Sequence, residues 1–317
     1  MTKTTATVIG IDVSKAWLDV GVHEEGLVRR FDNDAAGLGA LEDWLAGMAV
    51  SLVVMEATGR LHRLCEARLL ALGLAVAVVN PAHVRHFARA KGRLAKTDRA
   101  DALMIAAYGA AMRPAPRLAR PPELLALADL VARRRQLVDT LAAEKNRLNS
   151  LDDAALSRPL RDSFEAVMLA LVGAITAMER SIDDAIHATA ALSRKDQALR
   201  SVPGVGPVLS QTLIAEMPEL GTLTRRQAAA LAGLAPVARD SGRLRGRRFI
   251  QGGRANLRPV LYMATIAAIR CNPRIAAFYN RLLDAGKNKK AAITACMRKL
   301  IVTLNAILRD NNQWTNA

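Results

Sequence analysis

Asp12, Glu56, Asp98 and Asp101 are four carboxylates in an otherwise strongly basic chain. Asp12 closes the apolar run Val8-Ile9-Gly10-Ile11, and Glu56 closes the run Leu52-Val53-Val54-Met55. Asp98 and Asp101 stand three apart, where the chain turns helical through Leu103, Met104 and Ala107, so they project from one helix face. In open α/β sheets the carboxyl ends of strands form the usual site, and all four acids can reach one point there. Clustered carboxylates repel one another unless cations separate them. An all-oxygen donor set suits two Mg2+ or Mn2+ ions. A pair of such ions, about 3.5–4 Å apart, neutralises charge and stabilises the leaving oxygen when a phosphate backbone is cut or joined. The local alternative makes Asp98 a helix cap and Asp101 a partner of the helix dipole.

The elements around these acids read as an α/β pattern with a mixed sheet. Leu18, Val20 and Val22 alternate as in a half-covered hairpin strand, and Leu27 to Phe31 forms a third strand. Leu52 to Met55 is a continuous apolar run, as in a central strand covered on both faces. A helix from Leu61 to Leu72 and a strand from Leu74 to Val79 follow, the latter stopped by Asn80-Pro81. Pro114, Pro116, Pro121 and Pro122 mark a boundary. Beyond it, positions 127, 130, 134, 137, 141, 144, 148 and 151 keep heptad spacing; Arg134 and Glu144 interrupt a seam otherwise of Leu. That seam fits a coiled coil between chains or one long helix packed within its own chain. With a second helical stretch from Phe164 to about Leu192, the connector reads as a helical hairpin. The expected division is 1–115, 116–198 and 199–317, the last being mainly short helices with Gly and Pro turns.

Composition narrows the partner. Lys and Arg number 45 against 29 Asp and Glu in 317 residues, a net charge of +16, which favours a polyanion. Apolar residues make up 51% of the chain, enough for folded cores. The nearly apolar run from Ala166 to Met178 is too short to span a bilayer, and no signal segment follows Met1. No membrane role and a cytoplasmic location are expected. Cys65, Cys271 and Cys296 lie far apart, and His83 and His86 lack a matching cluster, so neither disulfides nor zinc is expected. With aromatic residues at 3%, base-stacking platforms are not expected to dominate recognition.

In the last third, Val202-Pro203-Gly204-Val205-Gly206-Pro207 resembles a helix-hairpin-helix turn. Gly204 and Gly206 would let backbone N–H groups approach a phosphate at a helix N-terminus; a plain helix–turn–helix connection is the alternative. Lys287, Lys289 and Lys290 open the final helix, where the dipole repels cations and an anion would remove the conflict.

Gly10-Ile11-Asp12-Val13-Ser14-Lys15, Met55-Glu56-Ala57-Thr58-Gly59 and Lys96-Thr97-Asp98-Arg99-Ala100-Asp101-Ala102 resemble the DEDD domain of the IS110/IS1111 family of transposases. Ser201 to Gly206, Leu231 to Pro236, Arg239-Asp240-Ser241-Gly242, Gly253 to Arg258 and Gly286 to Leu300 resemble that family's IS116/IS110/IS902-type C-terminal domain. The resemblance implies a RuvC-like, RNase H-like fold for the first part, with Asp12, Glu56, Asp98 and Asp101 as metal ligands. It implies that Ser241 is the nucleophile, that cleavage passes through a phosphoserine link, and that one protomer's carboxylates meet another's serine. A structured bridge RNA would pair with donor and target DNA, leaving backbone and shape to the protein. Arg239, Arg243, Arg245, Arg247, Arg248, Arg254 and Arg258 surround Ser241 with only Asp240 against them, a composition suited to gripping phosphate. The expected partners are double-stranded DNA of element ends and target, bridge RNA, and further copies of the chain as a dimer assembling to a tetramer. The competing readings are a RuvC-like hydrolytic nuclease without a covalent intermediate and a non-catalytic nucleic-acid-binding module. An actin-like kinase would need a second copy of the strand pattern, which the helical C-terminal half does not supply.

Overall fold

Period-two alternation gives strand β1 (Thr7–Val13) two different faces. Ile9, Ile11 and Val13 join one apolar cluster, and Val8 joins another on the opposite side with Gly10 and Asp12. Strands β2 (Trp17–Val22) and β3 (Val28–Asp32) continue antiparallel from β1. Strands β4 (Val50–Glu56) and β5 (Val76–Val79) add in parallel at its other edge. The order β3-β2-β1-β4-β5 is the mixed, RNase H-like sheet that the RuvC resemblance implies. This computed structural model describes residues 7–92, 98–151, 156–237, 240–241, 244–245 and 248–315, with backbone alone at 98, 240–241 and 244–245. The chain divides into two compact units, Met1–Arg120 and Pro121–Ala317.

Helices cover both faces of the sheet, as parallel strands require. Helix α1 (Ala35–Ala46) leads from β3 to β4, and α2 (Arg63–Ala71) from β4 to β5. Leu38, Leu41, Cys65 and Leu69 from these helices pack against Ile9, Ile11, Val53, Met55 and Val76. On the other face lie α3 (Pro81–Ala90) and α4 (Asp98–Met112). Val84, Met104, Ile105 and Tyr108 there meet Leu52, Val54, Ala77 and Val79. The Asn80-Pro81 pair that stops β5 also starts α3: the Asn80 side chain accepts from Ala82 N–H (2.9 Å), and Pro81 fixes the first helical φ.

The second unit is mainly helical. Helices α5 (Pro122–Asn149) and α6 (Arg158–His187) form the expected hairpin, so the heptad seam finds a partner inside the chain. Arg134 breaks that seam because it reaches Glu179 on α6 (2.6 Å). After α6 come α7 (Ala190–Arg200), α8 (Pro207–Glu216), α9 (Arg225–Leu231), α10 (Leu257–Cys271), α11 (Pro273–Asp284) and α12 (Lys289–Asp310). Helix α12 is long and apolar enough to cross a membrane, a match that the reading of Ala166 to Met178 passed over. Its Ala292, Cys296, Leu300, Ile301 and Leu304 are fully buried within this unit, so it serves as a core helix. Its buried Asn305 accepts from Gly221 N–H (2.9 Å) and donates to Leu223 O (2.7 Å), locking the loop between α8 and α9. Cys65 and Cys296 are buried and Cys271 is exposed; all three are free thiols. Burial pushes Cys65 up to about 12 and Cys296 up to about 11.

Candidate active site

Strand register brings the first two acids together. Strands β1 and β4 pair Gly10 with Val54 and Ile11 with Met55, so the next residues, Asp12 and Glu56, stand side by side at the strands' carboxyl ends. Both are half-buried and lie on the face covered by α4. Across β1, Asp12 pairs with Asp19, which in turn pairs with Arg30. The row Glu56, Asp12, Asp19, Arg30 therefore crosses four adjacent strands. Asp19 is buried and held by two parallel bonds from Arg30, each 2.9 Å. This fifth carboxylate escaped the sequence reading because its pairing spans strands. Arg30 offsets its charge and so limits repulsion on Asp12.

The position of α4 fixes the other two. A Cβ on Gly10 would lie 2.2 Å from Ala106 N and 2.3 Å from Ala102 O, so the helix backbone rests directly on β1 at this residue. Farther along the helix, Gly109 faces the side chains of Val8 and Val54. The helix thus runs antiparallel to β1, from Val8 at Gly109 to Gly10 at Ala106 and Ala102. One turn nearer its start, at the level of Asp12 and Glu56, come Asp101 and Asp98. The backbone therefore carries all four positions to one end of the sheet. Asp101 is half-buried; the side chain of Asp98 lies outside the described residues. Among the described residues, no group of three or more His, Cys, Asp or Glu side chains is set to hold a metal ion. The donor chemistry of the four positions, carboxylate oxygen throughout, fits a hard cation such as Mg2+.

The loops leaving the two strands are tied to one another. Asn33 donates from its side-chain amide to Ser14 O (2.8 Å), two residues past Asp12, and to Leu61 O (3.5 Å), in the loop past Glu56. Its own N–H donates to Ala16 O (2.8 Å). Nothing in residue type or spacing announces this clamp. The Glu56 loop ends at His62, a buried residue that opens α2 and lies 3.7 Å from Glu66. Burial holds the His62 imidazole below its ordinary pKa; Glu66 opposes that shift, while Arg117 and Arg63 add to it.

Ser241 belongs to the second unit, at the tip of a β-hairpin rather than in an open loop. Strands β6 (Pro236–Val237) and β9 (Phe249–Ile250) form the stem, and β7 (Asp240–Ser241) and β8 (Leu244–Arg245) form the tip. Ser241 pairs with Leu244, and residues 242 and 243 between them lie outside the described residues. Arg239, Arg243 and Arg247 lie outside the described residues, as do the side chains of Ser241 and Arg245. Arg248 is exposed. Arg254 and Arg258 do other work as well. Arg254 pairs with Glu219 and donates its N–H to Leu231 O (2.7 Å), and Arg258 donates to Gly252 O (2.6 Å). These bonds hold the hairpin's base. Gly253 there has φ +63°, and a Cβ on it would fall 2.2 Å from Gly233 N.

The remaining expected contacts have local explanations beside the functional one. Gly204 has φ +95° and presses on α10, where a Cβ would meet Ala268 Cα at 2.5 Å. Gly206 caps α8 and has open space around it. Lys287, Lys289 and Lys290 are exposed. Just before α12, Asn288 accepts from Ala291 N–H (2.8 Å), which caps the helix start without an anion.

Two family models match in chain order: an IS110-type DEDD transposase model over residues 9–154, and a transposase model of the IS116/IS110/IS902 family over residues 196–280. The first takes in the carboxylate end of the sheet, the second the serine hairpin. The chain belongs to the IS110/IS116/IS902 family of transposases. Membership makes it a DNA-processing enzyme of the transposase and recombinase kind. A pilin gene-inverting protein of Moraxella bovis is 28% identical over 97% of both chains. Shorter matches include an IS110 protein of Streptomyces coelicolor, 27% identical over 56% of this chain and 48% of that one. An IS900 protein of Mycobacterium paratuberculosis is 34% identical over 37% of this chain and 30% of that one. Among solved structures, T. thermophilus RuvC in complex with a Holliday junction substrate aligns with 36% of the transposase chain and 99% of its own, at 19% identity and a TM-score of 0.28.

Proposed function

We propose that this transposase cuts DNA strands and rejoins them through an ester between Ser241 and the cut phosphate, with Asp12, Glu56, Asp98 and Asp101 holding two Mg2+ or Mn2+ ions beside it. One observation carries the reading: the β1–β4 register and the seat of α4 on Gly10 direct four acids to the same sheet end. When bound there, the cations would neutralise phosphate charge and stabilise the departing oxygen. The serine oxygen attacks phosphorus, the bond from phosphorus to the departing deoxyribose oxygen breaks, and the proton lost by serine ends on that oxygen. The ester conserves the energy of the broken bond, so a hydroxyl of a second strand can displace the serine and reseal the backbone. The Moraxella relative is named for inverting a gene, and inversion requires that cut strands be rejoined. That favours the ester over simple hydrolysis.

Residues 1–115 supply the carboxylates, 116–198 the connector, and 199–317 the serine and its arginines. Arg239, Arg243, Arg245, Arg247, Arg248, Arg254 and Arg258, with Gly204, Gly206, Lys287, Lys289 and Lys290, grip the backbone of double-stranded DNA. A bridge RNA chooses the sequence, a reading supported by the +16 charge and the 3% aromatic content. Two protomers exchange serines across a dimer, and two dimers hold the two duplexes, in the cytoplasm at the nucleoid. The test incubates full-length protein with element-end DNA and Mg2+, with and without the RNA, and separates products under denaturing conditions. A protein–DNA adduct that vanishes with Ser241→Ala and with Asp12→Ala is expected. Continued cleavage by Ser241→Ala would establish the hydrolytic nuclease instead, and unchanged activity in Asp12→Ala would remove the carboxylates from the chemistry.

A further inference from the structure

The sequence holds no Asp or Glu between Glu66 and Asp98. All of α3 lies in that stretch. Val84, Phe87 and Ala88 turn inward against the cluster built with α4, and Phe87 meets Tyr108 edge-on at 5.6 Å between ring centres. The opposite arc, about 160° wide at 3.6 residues per turn, exposes His83, Arg85, His86 and Arg89 with only alanines between them. Lys91 follows just past the helix end, exposed, with its ammonium 5.0 Å from the Phe87 ring centre. Among the described residues Arg85 and Arg89 make no ion pair, whereas Arg68, earlier in the chain, is tied to Glu42 at 2.6 Å. Only the cap residue Asn80 separates α3 from Val79, which pairs with Glu56. The cationic arc therefore starts at the carboxylate end of the sheet and leads away from it.

We infer that the outer face of α3 is a track for the phosphate backbone of the DNA duplex whose strand lies at the carboxylates. This rests on the carboxylate reading above and adds a surface that it does not include. A ten-residue helix is about 15 Å long, and over that length each strand of a duplex carries about four phosphates. Arg85, Arg89 and Lys91 can meet three of them. DNA is favoured over RNA because the track leaves from the point where the DNA strand must be cut.

The test measures binding of full-length protein to element-end duplex without metal, across a salt series, for wild type and R85Q/R89Q/K91Q. Each lost phosphate contact lowers the slope of log affinity against log salt by about 0.9, so three lower it by about 2.7. Between about 50 and about 200 mM salt, the wild type should then lose about 40-fold more affinity than the variant does. The charge-keeping R85K/R89K/K91R should retain the wild-type slope. Equal slopes for wild type and the Gln variant overturn the inference, as does a change seen with single-stranded RNA but not with the duplex. Metal-dependent cleavage by the wild type is scored separately. If it occurs while the slopes stay equal, only the α3 track falls; if it does not, the carboxylate reading falls by itself.

Discussion

Gly10→Ala isolates the feature on which the proposed carboxylate site depends. The added Cβ would sit 2.2 Å from Ala106 N and 2.3 Å from Ala102 O, whereas ordinary contact begins at 3.4 Å. Both opposing atoms belong to the helix backbone, so no rotamer change relieves them. Helix α4 must lift or tilt by about 1 Å, and Asp98 and Asp101 ride on it. Overpacking of this kind costs about 1–3 kcal/mol, and misplacing catalytic groups by about 1 Å costs about 100-fold in rate. The control is Gly37→Ala, whose Cβ would meet Asp32 O at 2.1 Å where α1 joins β3, away from the α4 face. Urea midpoints followed by circular dichroism should fall by similar amounts in the two variants. Single-turnover adduct formation, measured where both are folded, should fall about 100-fold in Gly10→Ala alone. A Gly10→Ala protein that is destabilised like the control but forms adduct at the wild-type rate would refute the argument that α4 sets the site.

Asn33→Asp replaces the bridging donor with a carboxylate facing two carbonyl oxygens, and Mn2+ affinity read by electron paramagnetic resonance should weaken about 10-fold, the worth of one such bond. Gly253→Ala should displace the serine hairpin and lower adduct yield at least about 10-fold while Mn2+ affinity stays at the wild-type value, because the clash with Gly233 lies in the second unit. Acid should destabilise the first unit through His62: its folded pKa is depressed, so the stability it contributes is complete above its ordinary value of 6.5 and is lost as pH falls from there through the folded value. Urea midpoints should therefore drop as pH falls below about 6.5 in wild type, and less in His62→Gln.

The strands that carry Asp12 and Glu56 were legible because central strands covered on both faces read as unbroken apolar runs. What those runs do not reveal is register. The adjacency of Asp12 to Glu56, and of Asp19 to Arg30, appears only once strands pair. The seat of α4 was hidden for a similar reason, since the decisive group is the side chain that Gly10 lacks. Helix α3 was missed because Asn80-Pro81 reads equally as a strand stop and a helix start; the exposed cations behind it were the unused signal. The serine hairpin has two-residue strands, too short to show a period, although Gly233, Gly252 and Gly253 mark its base. Charge density alone grouped Arg254 and Arg258 with the phosphate grip, while their bonds to Glu219 and Gly252 also hold that base.

The heptad seam changes how a dimer must form. Leu127 and Leu137 on α5 are buried within the chain, and Arg134 is satisfied by Glu179. A partner therefore cannot use the α5 seam without displacing α6. The outward side of α6 offers the alternative: Leu169 and Val172 are exposed, Leu169 by 75%, in a helix with no charged residue from Ala166 to Met178. If two chains meet there, L169E/V172E should turn the dimer into a folded monomer, since changes at exposed positions typically alter stability by only about 0.5 kcal/mol. Sedimentation would read the mass and thermal melting the fold. The same variant should form no adduct, because the reading requires one protomer's serine to meet another's carboxylates. Mixing Ser241→Ala with Asp12→Ala protein should restore adduct formation in the dimeric background and fail to do so when both carry L169E/V172E. A variant that remains dimeric would move the interface off α6, and a monomer that still forms the adduct would place serine and carboxylates in a single chain.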